Sequence, residues 1–377
     1  MKTSSLLLAA LLFFSARADA CGDYANLEQR KTIDVAICLD VSGSMSGLIN
    51  SARAKLWAIV NDLALAKPTP RLRVALLTFG HSSYRAEDGW VRVDVDLTED
   101  LDLISQKLFA LTTNGGTELV GRVMQASLDK LSWTKSKSTL KLIIVAGNES
   151  ADQDKTVDYR LMSKRAIESG IMVNAIYCGN PADDIAPGWK DVSLRADGHF
   201  ACIDQNRGTV TIATPFDKRI AELSTAMNAT YIPLGSAGKK GAANQKVQDR
   251  NAAELGMAIE AARAQSKSTA LYRCTWCLVD SYLDKSVDLT KIKQEDLPEA
   301  LRGKSIEELR THIEQTHKER QAYRKQIAEL NSKRAAFVAA EAKKKNLSDD
   351  QAFDKAVRAA IRAQAAQKGY AFQEAAK

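Results

Sequence analysis

Three oxygen-bearing side chains stand close together in one short string of the sequence, LDVSGSMSG. Asp40, Ser42 and Ser44 have the spacing D-x-S-x-S, which places one carboxylate and two hydroxyls on a single loop. Gly43 allows that loop to turn sharply. Oxygen ligands of this kind suit Mg²⁺, Mn²⁺ or Ca²⁺ better than zinc. The string therefore predicts a site for a divalent metal ion.

The elements around this loop must be a buried strand and a helix. Residues 33–39 (IDVAICL) are almost wholly apolar, and residues 46–65 have apolar side chains at helical spacing. Mostly apolar strands that alternate with helices predict an α/β fold with a doubly wound, mostly parallel sheet that is covered on both faces. Ligands of such sheets bind at the carboxyl ends of the strands, where Asp40 lies. Further strands are predicted at 72–79, 90–97, 140–146, 171–177 and 199–203, with 90–97 (WVRVDVDL) as a half-exposed edge strand.

This arrangement resembles the metal-ion-dependent adhesion site of von Willebrand factor type A (vWA) domains, over about residues 33–235. The resemblance implies a Mg²⁺ ion, or Mn²⁺ or Ca²⁺, held by Asp40, Ser42, Ser44 and Thr117, with Thr117 directly after the loop residues 114–116 (NGG). It also implies a protein partner whose Asp or Glu completes the site, and no catalysis. The charge of the ion supports this, because one carboxylate leaves most of it uncompensated.

The sequence departs from the family pattern at one position. Such domains usually carry an aspartate after the fourth strand, and here that position is Gly147. Asn148, Glu149, Asp152 or Glu118 could contact the metal directly or through water, although Glu149 and Asp152 are also ordinary loop acids. The departure keeps open a structural or assembly protein whose metal site is vestigial.

A serine hydrolase is a further alternative. Residues 43–47 (GSMSG) match G-x-S-x-G between a strand and a helix, which is the context of a nucleophile elbow. Ser46 would be the nucleophile, and His199 would be a partner in the triad. This hypothesis leaves Asp40 and Thr117 without a role.

The N-terminus predicts export. Lys2, the apolar residues 6–14 and the small-x-small pattern at 18–20 are typical of a cleaved signal peptide over residues 1–20. The protein would then be periplasmic or secreted. Cys21 follows the predicted cleavage site, so a lipoprotein anchored at Cys21 is the alternative.

Export would also place the cysteines where disulfides can form. Cys178 and Cys202 lie on predicted successive strands and are the best candidates for a bridge. Cys274 and Cys277 form a CxxC pair, which we interpret as a structural disulfide or two buried thiols rather than a redox centre, because no thioredoxin-like βαβ pattern surrounds it.

The rest of the chain predicts a vWA domain over 21–235, a linker over 236–250 and a helical region over 251–377. Residues 236–377 contain 27 lysines and arginines against 19 acids, whereas residues 1–235 contain 26 against 27. This excess is compatible with contact to an anionic surface, and export argues against nucleic acid. Residues 272–280 (YRCTWCLVD), with the long charged tail, resemble exported bacterial vWA proteins. A partial heptad pattern over 306–338 predicts either a coiled coil or a helix that packs on its own domain.

Overall fold

The computed structural model describes residues 30–203, 212–345 and 353–372, so the predicted signal peptide and Cys21 lie outside the described residues. Within these ranges the strands are β1 (Thr32–Asp40), β2 (Ala66–Lys67), β3 (Arg71–Phe79), β4 (Val91–Thr98), β5 (Leu140–Gly147), β6 (Met172–Tyr177), β7 (Phe200–Cys202) and β8 (Ala371–Phe372). The helices there are α1 (Ser46–Leu63), α2 (Leu101–Ala110), α3 (Val120–Lys130), α4 (Tyr159–Glu168), α5 (Ala186–Leu194), α6 (Asp217–Asn228), α7 (Gly235–Glu254), α8 (Met257–Ser268), α9 (Leu278–Leu283), α10 (Ile306–Lys344) and α11 (Phe353–Gln367).

The main sheet has the strand order β4-β3-β1-β5-β6-β7. All its neighbouring strands are parallel except β4, which runs antiparallel to β3 at one edge. This confirms the predicted doubly wound, mostly parallel sheet and the edge strand. The chain moves from β1 to β3 on one side and later to β5 on the other, so the order reverses at β1. Ligands of open α/β sheets bind at such a point.

One charged residue interrupts the apolar run of β1, and the structure explains it. Asp34 is fully buried, and Arg73 on the adjacent strand β3 donates two hydrogen bonds to its carboxylate, at 2.8 and 2.6 Å. The backbone N–H of Thr134 donates a third, at 2.9 Å. A buried charge is tolerated when it is paired and hydrogen-bonded in this way, so Asp34 is structural.

Apolar side chains from opposite faces of the sheet form two separate cores. One core contains Leu48, Trp57 and Val60 of α1, and the other contains Val123 and Met124 of α3. This division follows from the alternation of side chains along buried strands. Both faces of the sheet are therefore covered, and β1 lies between them with both of its faces buried.

The helical region has its own core, which begins earlier in the chain than the sequence predicts. Ile220, Leu223 and Met227 of α6 pack with residues of α8, α9 and α10, such as Ile313. Helix α6 therefore belongs with the helical region, although the sequence analysis places residues up to 235 in the vWA domain. The helical region also contacts the α/β domain: Arg263 of α8 is buried and donates a 2.5 Å hydrogen bond to Asp102 of α2.

The prediction of a linker at residues 236–250 is wrong, because these residues lie inside α7. The glycines that suggested flexibility are sites of close packing. A Cβ on Gly238 would lie 2.7 Å from the carbonyl carbon of Pro233, and one on Gly241 would lie 2.4 Å from the Trp276 ring. Small residues are required at these two positions because other parts of the chain approach the helix closely.

Helix α10 is 39 residues long and begins at a capping box formed by Ser305 and Glu308. Leu309, Ile313 and Ile327 from the predicted heptad pattern are buried in the core of the helical region. The pattern therefore reflects packing on the protein's own helices, not an exposed coiled-coil seam. Across the described residues, the structure contains no helix both long and apolar enough to cross a membrane.

Helix α11 returns to the α/β domain and packs on α1 and the sheet. Val357 and Ile361 lie in the same core as α1, and the Gln364 amide donates a 3.0 Å hydrogen bond to the Asn174 side chain on β6. Arg362 forms a salt bridge with Asp62 at the end of α1. After α11, β8 pairs with β2 in an antiparallel ribbon. Part of the region predicted as a separate helical unit thus completes the α/β domain.

We expect Ile361→Ala to destabilise the α/β domain. Ile361 is 1% exposed, and truncating a buried isoleucine typically costs about 2–5 kcal/mol. Urea unfolding would measure the loss. Ala363→Ser on the exposed side of α11 is the control and should change the unfolding free energy by less than about 0.5 kcal/mol. An equal, small effect of both substitutions would contradict the packing of α11 on the domain.

The predicted disulfides are not formed. Cys38, Cys178, Cys202, Cys274 and Cys277, the cysteines among the described residues, are all free thiols. Cys178 packs in the core that contains α1, whereas Cys202 packs against the core on the other face, so the sheet separates them. Cys274 and Cys277 are buried, and burial raises the pKa of both thiols. The second alternative for this pair, two buried thiols, is the one observed.

Candidate metal site

The predicted metal loop lies where the strand order of the sheet reverses. Asp40 is the last residue of β1, a 3₁₀ turn covers Gly43–Met45, and α1 begins at Ser46. The backbone N–H of Val41 donates to the Phe79 carbonyl at the end of β3, at 2.9 Å. The loop is thus anchored to the neighbouring strand and held at the carboxyl edge of the sheet.

The carboxylate of Asp40 is the most unusual group in this loop. Asp40 is fully buried, and the backbone N–H of Ser42 donates a 2.8 Å hydrogen bond to Oδ1. Its other oxygen, Oδ2, is buried and has no hydrogen-bond partner among the described residues. The pKa of Asp40 is raised to about 7. Burial is the largest cause, and the nearby acid Glu118 contributes in the same direction. The structure thus holds a poorly solvated carboxylate next to several hydroxyls.

The two serines of the motif lie next to each other. Their hydroxyl oxygens are 3.3 Å apart, with Ser42 buried and Ser44 exposed. The side-chain amide of Asn148, directly after β5, donates a 3.0 Å hydrogen bond to the Ser44 hydroxyl. The structure therefore brings Asp40, Ser42, Ser44 and Asn148 together at the ends of β1 and β5.

The loop that carries Thr117 packs against the metal loop from the side of β3. The backbone N–H of Asn114 donates to the Val41 carbonyl at 3.1 Å. A Cβ on Gly116 would lie 2.0 Å from the Gly80 carbonyl oxygen, so glycine is required at this close approach. Thr117 follows directly and is half-buried. The structure places the predicted threonine loop beside the D-x-S-x-S loop.

The surroundings of Gly147 explain the missing family aspartate. A Cβ at this position would lie 3.0 Å from Asp40 Oδ2 and 3.1 Å from Cη2 of Trp189. Trp189 is 1% exposed, and its indole N–H donates a 2.7 Å hydrogen bond to the Glu149 carbonyl. A side chain at position 147 would therefore crowd both the indole ring and the Asp40 carboxylate.

We expect Gly147→Ala to destabilise the protein, because the added methyl group contacts Asp40 and the Trp189 ring at short distances. Overpacking of this kind typically costs about 1–3 kcal/mol. Thermal or urea unfolding of the metal-free protein would measure it. Gly170→Ala is unsuitable as a control because of its positive φ, whereas Gly115→Ala has open space around its Cβ and no such φ. Equal stability of Gly147→Ala and Gly115→Ala would contradict this account.

The structure distinguishes among the additional predicted contacts. Glu118 and Asp40 both approach Gly80, since a Cβ there would be 3.0 Å from both Glu118 Cγ and Asp40 Oδ1. Glu149 is exposed, and its side chain accepts a 3.4 Å hydrogen bond from Gln153. Asp152 instead forms an ion pair with Arg160 at 2.6 Å.

The geometry does not support the predicted hydrolase pair. Ser46 is exposed at the start of α1, at the carboxyl edge of the sheet. His199 precedes β7, which runs parallel to β6, so His199 lies at the opposite edge, with β5 and β6 between. His81, which the sequence did not single out, follows β3 and lies at the same edge of the sheet as the metal loop. Its ring stacks on Tyr84, and Nδ1 lies 2.8 Å from the Ser83 hydroxyl oxygen.

The donors at this edge fit a hard divalent ion. In the parts of the chain that the structure describes, no group of three or more His, Cys, Asp or Glu side chains could hold a metal. The donors in the loop are one carboxylate and neighbouring hydroxyls, which suit Mg²⁺, Mn²⁺ or Ca²⁺. Among the described residues Asp40 Oδ2 has no hydrogen-bond partner, so a cation bound there would compensate its charge.

A doubly wound sheet that carries a D-x-S-x-S loop at its switch point defines the class of this protein. Residues 34–188 match the model of the von Willebrand factor type A domain family, so this part of the chain is a vWA domain. Domains of this family often bind a divalent metal at the adhesion site and mediate protein interactions, and they are generally not enzymes. A search of curated protein sequences finds no match.

Several solved structures are similar to the α/β part of the chain. The SpRpn10 VWA domain is 16% identical with a TM-score of 0.35, and the match covers 48% of this chain and all of that one. A von Willebrand factor type A protein from Catenulispora acidiphila is 17% identical with a TM-score of 0.35, covering 46% of this chain and 39% of that one. Proximal thread matrix protein 1 from the mussel byssus, with a zinc-occupied MIDAS motif, is 12% identical with a TM-score of 0.36, covering 48% and 43%.

Proposed function

We propose that this protein is a metal-ion-dependent protein-binding module that acts outside the cytoplasm. The observation that carries the proposal is the buried Asp40 carboxylate, whose Oδ2 has no partner among the described residues. Leaving such a group unpaired is costly unless a ligand compensates it. A vWA domain offers a reason to retain it, because a bound cation satisfies the carboxylate.

Each residue has a defined role in the proposed site. Asp40 anchors the ion, Ser42 and Ser44 are hydroxyl ligands, and Thr117 contacts the ion directly or through water. Mg²⁺ is the expected ion, with Mn²⁺ or Ca²⁺ as alternatives. When bound, the ion supplies positive charge at the edge of the sheet, which attracts an Asp or Glu carboxylate of a protein partner.

Titration calorimetry with Mg²⁺ and Mn²⁺ on the protein without residues 1–20 tests the metal site. We expect dissociation constants between about 10⁻⁶ and 10⁻³ M, and no binding by Asp40→Ala. Ser136→Ala, a hydroxyl outside the loop, is the matched control and should bind as the wild type does. Binding that survives Asp40→Ala would refute the proposed site.

An assembly protein with a vestigial metal site is the second candidate, because Gly147 stands where the family usually has an aspartate and Trp189 crowds that position. It predicts no metal binding in the same titration and an oligomer whose mass by light scattering is independent of chelator. The exposed basic residues of the helical region would then be the surface to test against anionic vesicles.

The location outside the cytoplasm rests on the predicted signal peptide. The intact mass of the protein recovered from a bacterial periplasm or medium tests it. A chain that begins at Cys21 without an adduct supports simple cleavage, and a diacylglycerol adduct supports the lipoprotein alternative. A chain that retains residues 1–20 contradicts both.

A further inference from the structure

Two acidic side chains lie close together at the metal loop and a third, Glu149, lies near one of them, although only Asp40 belongs to the D-x-S-x-S motif. Asp40 Oδ1 and Glu118 Cγ would each lie 3.0 Å from a Cβ on Gly80, which has a left-handed φ of 84° and no side chain. Glu149 follows β5 beside Asn148 and is close enough to Glu118 to repel it. The acids come from the ends of β1 and β5 and from the threonine loop.

These acids are held together without a protein cation. None of the salt bridges among the described residues includes Asp40, Glu118 or Glu149, although Arg160 and Arg122 nearby are paired with other acids. Gln153 instead bonds to both Glu118 and Glu149, so one neutral amide holds the two glutamates near each other. Like charges gathered in this way are unfavourable unless a cation lies among them.

A second observation shows where that cation belongs. Asp40 Oδ2 is a fully buried oxygen without a partner among the described residues, and it is part of the same acidic cluster. Gly147, the family position for a second acid, is crowded, because a Cβ there would lie 3.0 Å from Asp40 Oδ2 and 3.1 Å from the Trp189 ring. Glu118 approaches Asp40 at Gly80, near Oδ1, and is close enough to raise the pKa of Asp40.

We infer that Glu118 is the second carboxylate of the metal site and replaces the acid that position 147 lacks. The inference rests on the proposed function, because it requires a divalent ion at Asp40. With two carboxylates the site offers as much negative charge as the ion has positive charge, which favours tighter binding of a hard cation. The second acid is thus carried by the residue after Thr117 and not by the end of β5, where the family usually has it.

Mn²⁺ binding measured by electron paramagnetic resonance, with Mg²⁺ calorimetry as a second readout, tests this role. Glu118→Gln keeps the size of the side chain and its bond to Gln153 while removing the charge. We expect it to raise the Mn²⁺ dissociation constant by about tenfold or more, since the ligand charge count sets the affinity. Glu168→Gln, the same change at an exposed acid at the end of α4, should alter it by less than about threefold.

The outcomes separate this inference from the proposed function. Unchanged metal affinity in Glu118→Gln, together with loss of binding in Asp40→Ala, overturns the role of Glu118 and leaves the proposed function intact. No binding by the wild type overturns both. Near-ultraviolet circular dichroism of metal-free Glu118→Gln should match the wild type, so that a weaker affinity reports on the site and not on misfolding. An equal loss in Glu118→Gln and Glu168→Gln would also overturn a specific role for Glu118.

Discussion

Asp40→Asn is expected to stabilise the metal-free protein at pH 8 while it abolishes metal binding. Burial raises the pKa of Asp40 to about 7, whereas an aspartate in the unfolded chain has a pKa of about 3.9. The folded state therefore holds a proton that the unfolded state has lost, and stability falls as the pH rises from about 4 to about 7. The full penalty above pH 7 is about 4 kcal/mol. The asparagine side chain escapes this penalty, but its amide N–H lacks an acceptor, so we expect a net gain of about 1–3 kcal/mol.

Urea unfolding at pH 8 and pH 4.5, in chelator and in Mg²⁺, measures both effects. The advantage of Asp40→Asn should shrink at pH 4.5, where wild-type Asp40 is protonated in the folded state. Mg²⁺ at about 100 times its dissociation constant should stabilise only the wild type, by about 2.7 kcal/mol. If Asp40→Asn is less stable than the wild type at pH 8 in chelator, the ionised carboxylate does not destabilise the metal-free protein as its surroundings indicate.

Arg320→Met is expected to cost about 3–5 kcal/mol, because it removes the buried cation that donates a hydrogen bond to the buried Asp280 carboxylate. Arg320 of α10 is fully buried, and it donates hydrogen bonds to Asp280 Oδ1 and to the hydroxyl and carbonyl oxygens of Thr230. Its guanidinium carbon also lies 4.1 Å from the centroid of the Tyr231 ring. One side chain therefore joins α10, α9 and the segment after α6. Urea unfolding monitored by circular dichroism would measure the loss.

Arg310→Met is the matched control for this prediction. Arg310 lies on the same helix, and its salt bridge with Glu307 is exposed, with side-chain exposures of 45% and 75%. Surface pairs of this kind contribute about 0–1 kcal/mol. Adding Asp280→Asn to Arg320→Met should recover part of the loss, because it removes the buried negative charge that Arg320 no longer compensates. Similar effects of Arg310→Met and Arg320→Met would show that the buried ion pair is not important for stability.

The metal loop could be predicted from the sequence because its information is local. The apolar run of β1, the carboxylate at its end and the start of α1 are adjacent in the chain, and the general rule for α/β sheets says which edge carries the ligand. The departure at Gly147 was also visible. The crowding at this position could not be predicted, because Trp189 is distant from Gly147 in the chain and comes close to it only in the folded structure.

The errors all concern contacts between distant parts of the chain. Gly241 was predicted to lie in a linker, but in the structure the Trp276 ring packs against it. The sequence predicts a disulfide between Cys178 and Cys202, but in the strand register Tyr177, not Cys178, is the partner of Cys202. Adjacent residues of a strand point to opposite faces, so one position decides which core each thiol enters. Helical periodicity likewise shows that α11 has an apolar face but not which surface covers it.

The return of α11 to the sheet has a consequence for how the chain folds. The salt bridge between Asp62 and Arg362 joins residues 300 positions apart, and the hydrogen bond between Asn174 and Gln364 spans 190. During synthesis, the surface of α1 and β6 that α11 covers stays open to solvent while everything between is made. Contacts of such high sequence separation form late and slowly, and an uncovered apolar face is prone to aggregation. The α/β domain therefore depends on a distant segment to cover its apolar face, and chains that stop before α11 leave that face exposed to aggregation.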